Sequence, residues 1–204
     1  MIIHTWLADV SALREETKYD EYYQKAPKHR KDKADRLRRQ EDKALSIGVW
    51  SLFEMMKKEY CLPDDVLYNF SHSGEYALCT IAVGESAQKH LGCDLEQIGK
   101  AHQEVAKRYF CLEEFEKIQN AEDFYRIWVL KESFMKATRQ GMKLPLNSFT
   151  FAFDEKDRPY LTKQPEQFPE QYYFKEYILE KLPYKIAVCA DSDQFAEEIK
   201  VVKL

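Results

Sequence analysis

The chain has 204 residues, enough to bury a sizeable core as one domain or as two modest halves. An apolar content of 45% excludes wholesale disorder, and a net charge of −4 confines any basic binding surface to a local patch. Five scattered cysteines with no CxxC spacing exclude a zinc knuckle or thioredoxin motif and fit buried thiols in a reducing compartment.

The opening "MIIHTWLADV" has no basic leader region and meets Asp9 early, so residues 1–9 read as a first strand rather than a signal peptide. No apolar run approaches the roughly 18 residues of a membrane span. The expected location is the cytoplasm. "KHRKDKADRLRR", residues 28–39, sets seven Lys/Arg against two Asp. Such a run is commonly a solvated helix face; it could also catch a phosphate-bearing ligand. It lacks interleaved aromatics, and the whole chain is acidic, which argues against nucleic acid.

Leu45, Val49, Leu52 and Met56 form one stripe and predict an amphipathic helix over 41–59, ended by "CLPDD". "LYNFSHSGEYALCTIAVG" reads as a turn flanked by strands, with Ser71, Ser73 and Gly74 as turn formers and His72 inside the turn. "LGCDLEQI", residues 91–98, reads as a strand. Helices are expected near 101–119 and 121–140, with Gly141 as terminator of the latter. "FTFAFD", "YYFKEYILE", "YKIAVCA" and "EIKVVKL" then alternate like strands of a sheet. The reading is an α+β protein of two αβ halves, residues 1–86 and 87–204, joined near residue 87.

Two stretches carry the chemistry. In "LGCDLEQI", Asp94 and Glu96 point to the same side of a strand. Such a pair suits the solvated outer face of an edge strand, or a site where a cation sits between the charges. In the helix "FYRIWVLKESFMKATRQGMKLPLNSF", Trp128, Glu132 and Lys136 recur every four residues and lie along one line. An exposed Glu132–Lys136 ion pair would contribute only a few tenths of a kcal/mol. If this helix packs over the strand, Asp94, Glu96 and Glu132 make a plausible hard-oxygen site for Mg²⁺, completed by water and phosphate. Lys136 could then face a phosphate as a point charge. His72 is a structural histidine or a donor to phosphate; there is no HExxH motif to suggest zinc.

"NFSHSGEYAL", "LGCDLEQI" and the 124–149 helix together resemble the 4′-phosphopantetheinyl transferases, specifically the surfactin-synthetase type. That family carries an SHS-like turn, a G-x-D-x-E strand and a W-x-x-K-E-(S/A)-x-x-K helix, in this order. Two departures stand out. The Gly-Lys-Pro segment common before the SHS turn is absent from "CLPDDVLYNFSHS", and Cys93 stands directly before Asp94, with Gly92 adjacent.

The resemblance implies a pseudo-symmetric monomer of two similar αβ halves with coenzyme A at their junction. It implies Mg²⁺-dependent transfer of the phosphopantetheine arm from coenzyme A to a serine of an acyl or peptidyl carrier protein, releasing 3′,5′-ADP. By motif, Asp94, Glu96 and Glu132 would hold the metal, and Glu132 would also be the candidate base. His72 and Lys136 would contact coenzyme A phosphates, Asn69, Phe70 and Ser71 would line the same site, and Arg30 or Lys33 would meet the 3′-phosphate. The rivals are a Mg²⁺-dependent phosphohydrolase or nuclease, and a non-catalytic coenzyme A-binding protein.

Overall fold

The computed structural model describes residues 1–84 and 89–204. The chain forms two compact units, one from residues 1–85 with 196–204 and one from residues 86–195. The expected join near residue 87 lies outside the described residues.

The first unit begins with strand β1 (Ile2–Asp9) and a 3-10 turn at Ser11–Arg14. Helices α1 (Glu16–Lys25), α2 (Lys28–Asp35) and α3 (Gln40–Glu59) follow. Strands β2 (Tyr68–Ser73) and β3 (Tyr76–Val83) form a hairpin. Its turn consists of Gly74 and Glu75, and Gly74 has φ +60°, a conformation glycine adopts without penalty. The basic run is therefore mostly the short helix α2. Ser71 and His72 lie in β2, opposite Leu78 and Ala77, and not in the turn. The cross-strand pairing captures them because the two-residue loop needs only Gly74 and Glu75.

The sheet order is β2-β3-β1-β9, where β9 is Lys200–Lys203. β9 runs parallel to β1, and its neighbours Ala196 and Leu204 donate backbone hydrogen bonds to Ile3 O and Asp9 O. Residues 196–204 thus leave the second half, where the sequence reading put them. α3 covers the β1/β3 face with Val49, Leu52, Phe53 and Met56, over Trp6, Ala8, Cys79 and Ile81.

The second unit starts with β4 (Leu91–Gln97), then α4 (Gln103–Tyr109), α5 (Leu112–Phe115) and α6 (Ala121–Ala137). The single helix expected over 101–119 is broken at Phe110, whose backbone is extended. Cys111 starts α5 with its backbone N–H donating to Glu114. Cysteine is not a usual cap, so no break signal was visible. Asn120 and Asp123 form a reciprocal cap at the start of α6. At the other end Arg139 already takes a left-handed φ of +57°, two residues before Gly141.

The hairpin β5 (Thr150–Phe153) and β6 (Pro159–Lys163) comes next, then β7 (Tyr173–Glu176) and β8 (Tyr184–Ala190). The main sheet has the order β4-β8-β7, all antiparallel. Its core is Phe124, Leu130, Phe134, Phe149, Phe151 and Cys189. Helices and sheets are segregated as in an α+β fold. The five cysteines are free thiols; Cys79, Cys93, Cys111 and Cys189 are buried and Cys61 is exposed. Among the described residues, no helix is long and apolar enough to cross a membrane.

Candidate active site

Strand alternation puts Gly92, Asp94 and Glu96 on one face of β4, opposite Cys189, Ala187 and Lys185 of β8. α6 packs on this face. Gly92 sets how close it comes. A Cβ there would stand 2.1 Å from Ser133 O and 2.3 Å from Ala137 N, so only glycine fits beneath the helix backbone. Two residues along, Asp94 meets the side chains of α6.

Asp94 is 3% exposed, and Lys136 Nζ donates to its Oδ1 at 2.6 Å. The lysine thus reaches across to the strand. Burial alone would lower the Lys136 pKa; the nearby Asp94, Cys93 and Glu132 outweigh it and raise the pKa above its ordinary value. Glu132, one turn earlier, is half-buried, as is Glu96. Burial first, then the charges of Asp94 and Glu96, push the Glu132 carboxyl above the ordinary carboxylate range, and Lys136 pulls the other way. The three predicted carboxylates and Lys136 therefore share one electrostatic neighbourhood. Trp128, at the head of the line, is half-buried and stacks on Phe124.

The donor chemistry fits Mg²⁺: hard carboxylate oxygens gathered in a field negative enough to disturb Glu132. Among the described residues, however, no three His, Cys, Asp or Glu side chains stand together as a ready metal cage. That suits an ion that takes one or two carboxylates and leaves its other positions to water and phosphate.

Apart from Lys136, the residues expected around coenzyme A belong to the first unit. On β2, Phe70 and His72 share one face, whereas Asn69 and Ser71 share the other. The four side chains therefore divide between two sides of an edge strand rather than lining one wall. Arg30 lies 4.6 Å from the Trp50 ring and 5.1 Å from the Phe70 ring, and its pKa is lowered first by burial. It is packed against aromatics, while Lys33 is exposed on the same helix.

Two features escaped the sequence reading. One is the role of Gly92. The other is Lys131, which is fully buried and paired with Glu114 at 2.8 Å. Burial pushes its ammonium below the ordinary lysine value, against the pull of Glu114. The signal was available: Ile127, Leu130, Lys131 and Phe134 follow the i, i+3, i+4, i+7 pattern of a buried stripe.

The model of the 4′-phosphopantetheinyl transferase superfamily matches residues 90–189. The 4′-phosphopantetheinyl transferase Sfp of Bacillus subtilis is 32% identical over 150 residues, covering 70% of this chain and 63% of that protein. This chain thus spans less than two thirds of Sfp. A further Bacillus subtilis 4′-phosphopantetheinyl transferase is 30% identical over 211 residues, covering 96% of this chain and 88% of that one. Among solved structures, the holo-[acyl-carrier-protein] synthase of Thermotoga maritima aligns with 16% identity and a TM-score of 0.44, over 50% of this chain and 62% of the other. With its acidic strand and its Glu132–Lys136 helix inside the matched region, the chain belongs to the 4′-phosphopantetheinyl transferase superfamily and is of the surfactin-synthetase type.

Proposed function

We propose that this protein transfers the 4′-phosphopantetheine arm of coenzyme A to a serine of an apo acyl or peptidyl carrier protein, a holo-[acyl-carrier-protein] synthase activity. The observation that carries the reading is the placement of a pKa-raised Glu132 beside Asp94 and Lys136, in a chain of this family. A carboxyl raised by burial and by like charges holds a proton more readily than an ordinary carboxylate, which suits a general base. In this reading Glu132 takes the proton of the carrier serine as its oxygen attacks the phosphorus that bears the pantetheine arm. The new Ser O–P bond forms, the P–O bond of the diphosphate bridge breaks, and the electron pair leaves with 3′,5′-ADP. Lys136 exchanges Asp94 for a phosphate oxygen and holds the diphosphate in line. Asp94, Glu96 and Glu132 are the residues that would hold Mg²⁺, which when bound neutralises negative charge on the diphosphate.

Arg30 or Lys33 is assigned to the 3′-phosphate, His72 with Lys136 to the phosphates of coenzyme A, and Asn69, Phe70 and Ser71 to the lining of the same site. The protein is read as a cytoplasmic monomer, in keeping with its free, mostly buried thiols. The test is mass spectrometry of a panel of apo-carriers after incubation with the protein, coenzyme A and Mg²⁺. Gain of one phosphopantetheine arm, abolished by chelation, is the expected result. Coenzyme A cleavage without carrier modification would make the protein a phosphohydrolase. Calorimetric binding of coenzyme A without turnover would make it a binding module.

A further inference from the structure

The second unit contains a buried charged cluster that the proposed chemistry leaves unused. Lys131 Nζ donates to Leu146 O at 2.8 Å and Phe149 O at 2.9 Å, and pairs with Glu114 Oε2 at 2.8 Å. An ammonium has three protons, and here each has an acceptor. Glu114, 1% exposed, accepts from Cys111 N at 3.1 Å through Oε2 and from Phe151 N at 2.8 Å through Oε1. The Phe149 ring closes over Lys131 at 4.4 Å. One ion pair thus ties three pieces of chain: the start of α5, the middle of α6, and the segment 146–151 that leads into β5.

Such a pair is weak evidence for stability, because desolvation offsets its attraction and apolar side chains of similar volume often do as well. What it supplies is direction. Lys131 is the residue before Glu132 and five before Lys136. Another side of α6 rests its backbone on Gly92 of β4. The helix is therefore held at two points, and its rotation about its own axis is fixed between them. A rotation of about 10° moves a side-chain tip some 6 Å from the axis by about 1 Å. A misplacement of about 1 Å can cost roughly 10²-fold in rate.

We propose that Lys131 and Glu114 are positioning residues that set the rotation of α6, and so bring Glu132 and Lys136 to Asp94 in productive geometry. The inference rests on the reaction proposed above. The informative variant is Lys131→Met with Glu114→Gln, which removes both charges and keeps both volumes. Lys131→Met alone leaves Glu114 buried without its cation and is expected to unfold. The double variant is expected to melt within a few degrees of the parent and to bind coenzyme A within about twofold by calorimetry. Its kcat on an apo-carrier should fall by roughly 10- to 100-fold, with KM for coenzyme A little changed. Its crystal structure should show the Lys136–Asp94 contact opened from 2.6 Å. A folded double variant with parental kcat and that contact intact overturns the proposal. So does a loss of rate that tracks melting temperature and coenzyme A binding together.

If the double variant does not fold, Lys131→Arg decides. It keeps the charge but cannot aim three N–H groups from one atom. A folded Lys131→Arg protein at full rate overturns the proposal; a slowed one with intact coenzyme A affinity supports it. Should the parent protein modify no carrier, the proposed function fails, and the Lys136–Asp94 distance in the variants still reads the positioning role.

Discussion

Both units are built on one plan. A first strand leads to a long helix that packs back on the sheet, and a hairpin follows whose second strand pairs antiparallel with the first. β1, α3 and β2–β3 do this in one unit, and β4, α6 and β7–β8 in the other. The faces beneath the two helices differ. Under α3 the first strand offers Trp6 and Ala8, and the surface is sealed and apolar. Under α6 it offers Gly92, Asp94 and Glu96. The glycines have also changed places. In the first unit Gly48 sits on the helix and yields room to the Val10 side chain; in the second Gly92 sits on the strand and yields room to the helix backbone. One topology thus gives a hydrophobic clamp in one case and a charged seam in the other, and a few residues decide which.

The largest expected effect tests the charged seam. Glu132→Gln keeps size and one coordinating oxygen but cannot take a proton. It should lower kcat by about 10²–10⁴-fold in single-turnover transfer, with coenzyme A affinity nearly unchanged and no rescue by added Mg²⁺. Recovery at high Mg²⁺ would reduce Glu132 to a metal ligand, and near-normal turnover would take it out of both roles.

The glycine contrast comes next. Gly92→Ala drives a methyl into backbone atoms of α6 and should cost more than about 3 kcal/mol. Gly48→Ala meets the Val10 side chain, Cγ1 at 2.5 Å and Cβ at 3.1 Å, which must shift as a whole, and it gains helix propensity. Its net cost should stay under about 2 kcal/mol. Urea midpoints of the two variants measure the difference; equal losses would show that both helices are seated alike.

A smaller effect concerns the basic helix of the first unit. Lys33→Ala with Arg30→Ala should raise KM for coenzyme A about tenfold or more, the scale of a lost charge-assisted hydrogen bond, and far less for dephospho-coenzyme A. An equal rise for both ligands would move this helix away from the 3′-phosphate.

The smallest effect belongs to the β5–β6 hairpin, which the first unit lacks. In its turn, Arg158 hydrogen bonds hold Asp154 at about 2, below its ordinary value of 3.8. The folded state therefore favours the charged carboxylate. The pair stabilises fully above about pH 4, and its contribution is lost as the pH falls through about 2. Because the pair is exposed, Asp154→Asn should lower the urea midpoint slightly at pH 6 and much less near pH 2. A difference that persists undiminished at low pH would mean the side chain acts through the shape of the turn.

What could be read from the sequence followed from periodicity and charge. The α3 stripe, the first strand and the same-side pair Asp94 and Glu96 each depend on spacing along a single element, and spacing is visible in a sequence. The broken helix at Phe110, the return of β9 to β1 and the reach of Lys136 to Asp94 depend on partners distant in the chain. His72 was misplaced for a related reason: "SHSG" has turn-forming composition, but β3 pairs with it up to Ser73. Lys131 was overlooked because a lysine is usually taken as surface, and only its place on the apolar stripe marks it as buried.

The return of β9 has a consequence for how the molecule is made. The first sheet takes its fourth strand from residues 200–203, beyond the whole of the second unit. In chain order the second unit is an insertion within the first. A ribosome delivers every strand of β4-β8-β7 before it delivers the last strand of the earlier sheet. The second unit can therefore complete its sheet first, and β1 waits with an unpaired edge, exposed to wrong partners. Cutting the chain before Ala196 would leave the proposed catalytic residues in place and would injure the other unit.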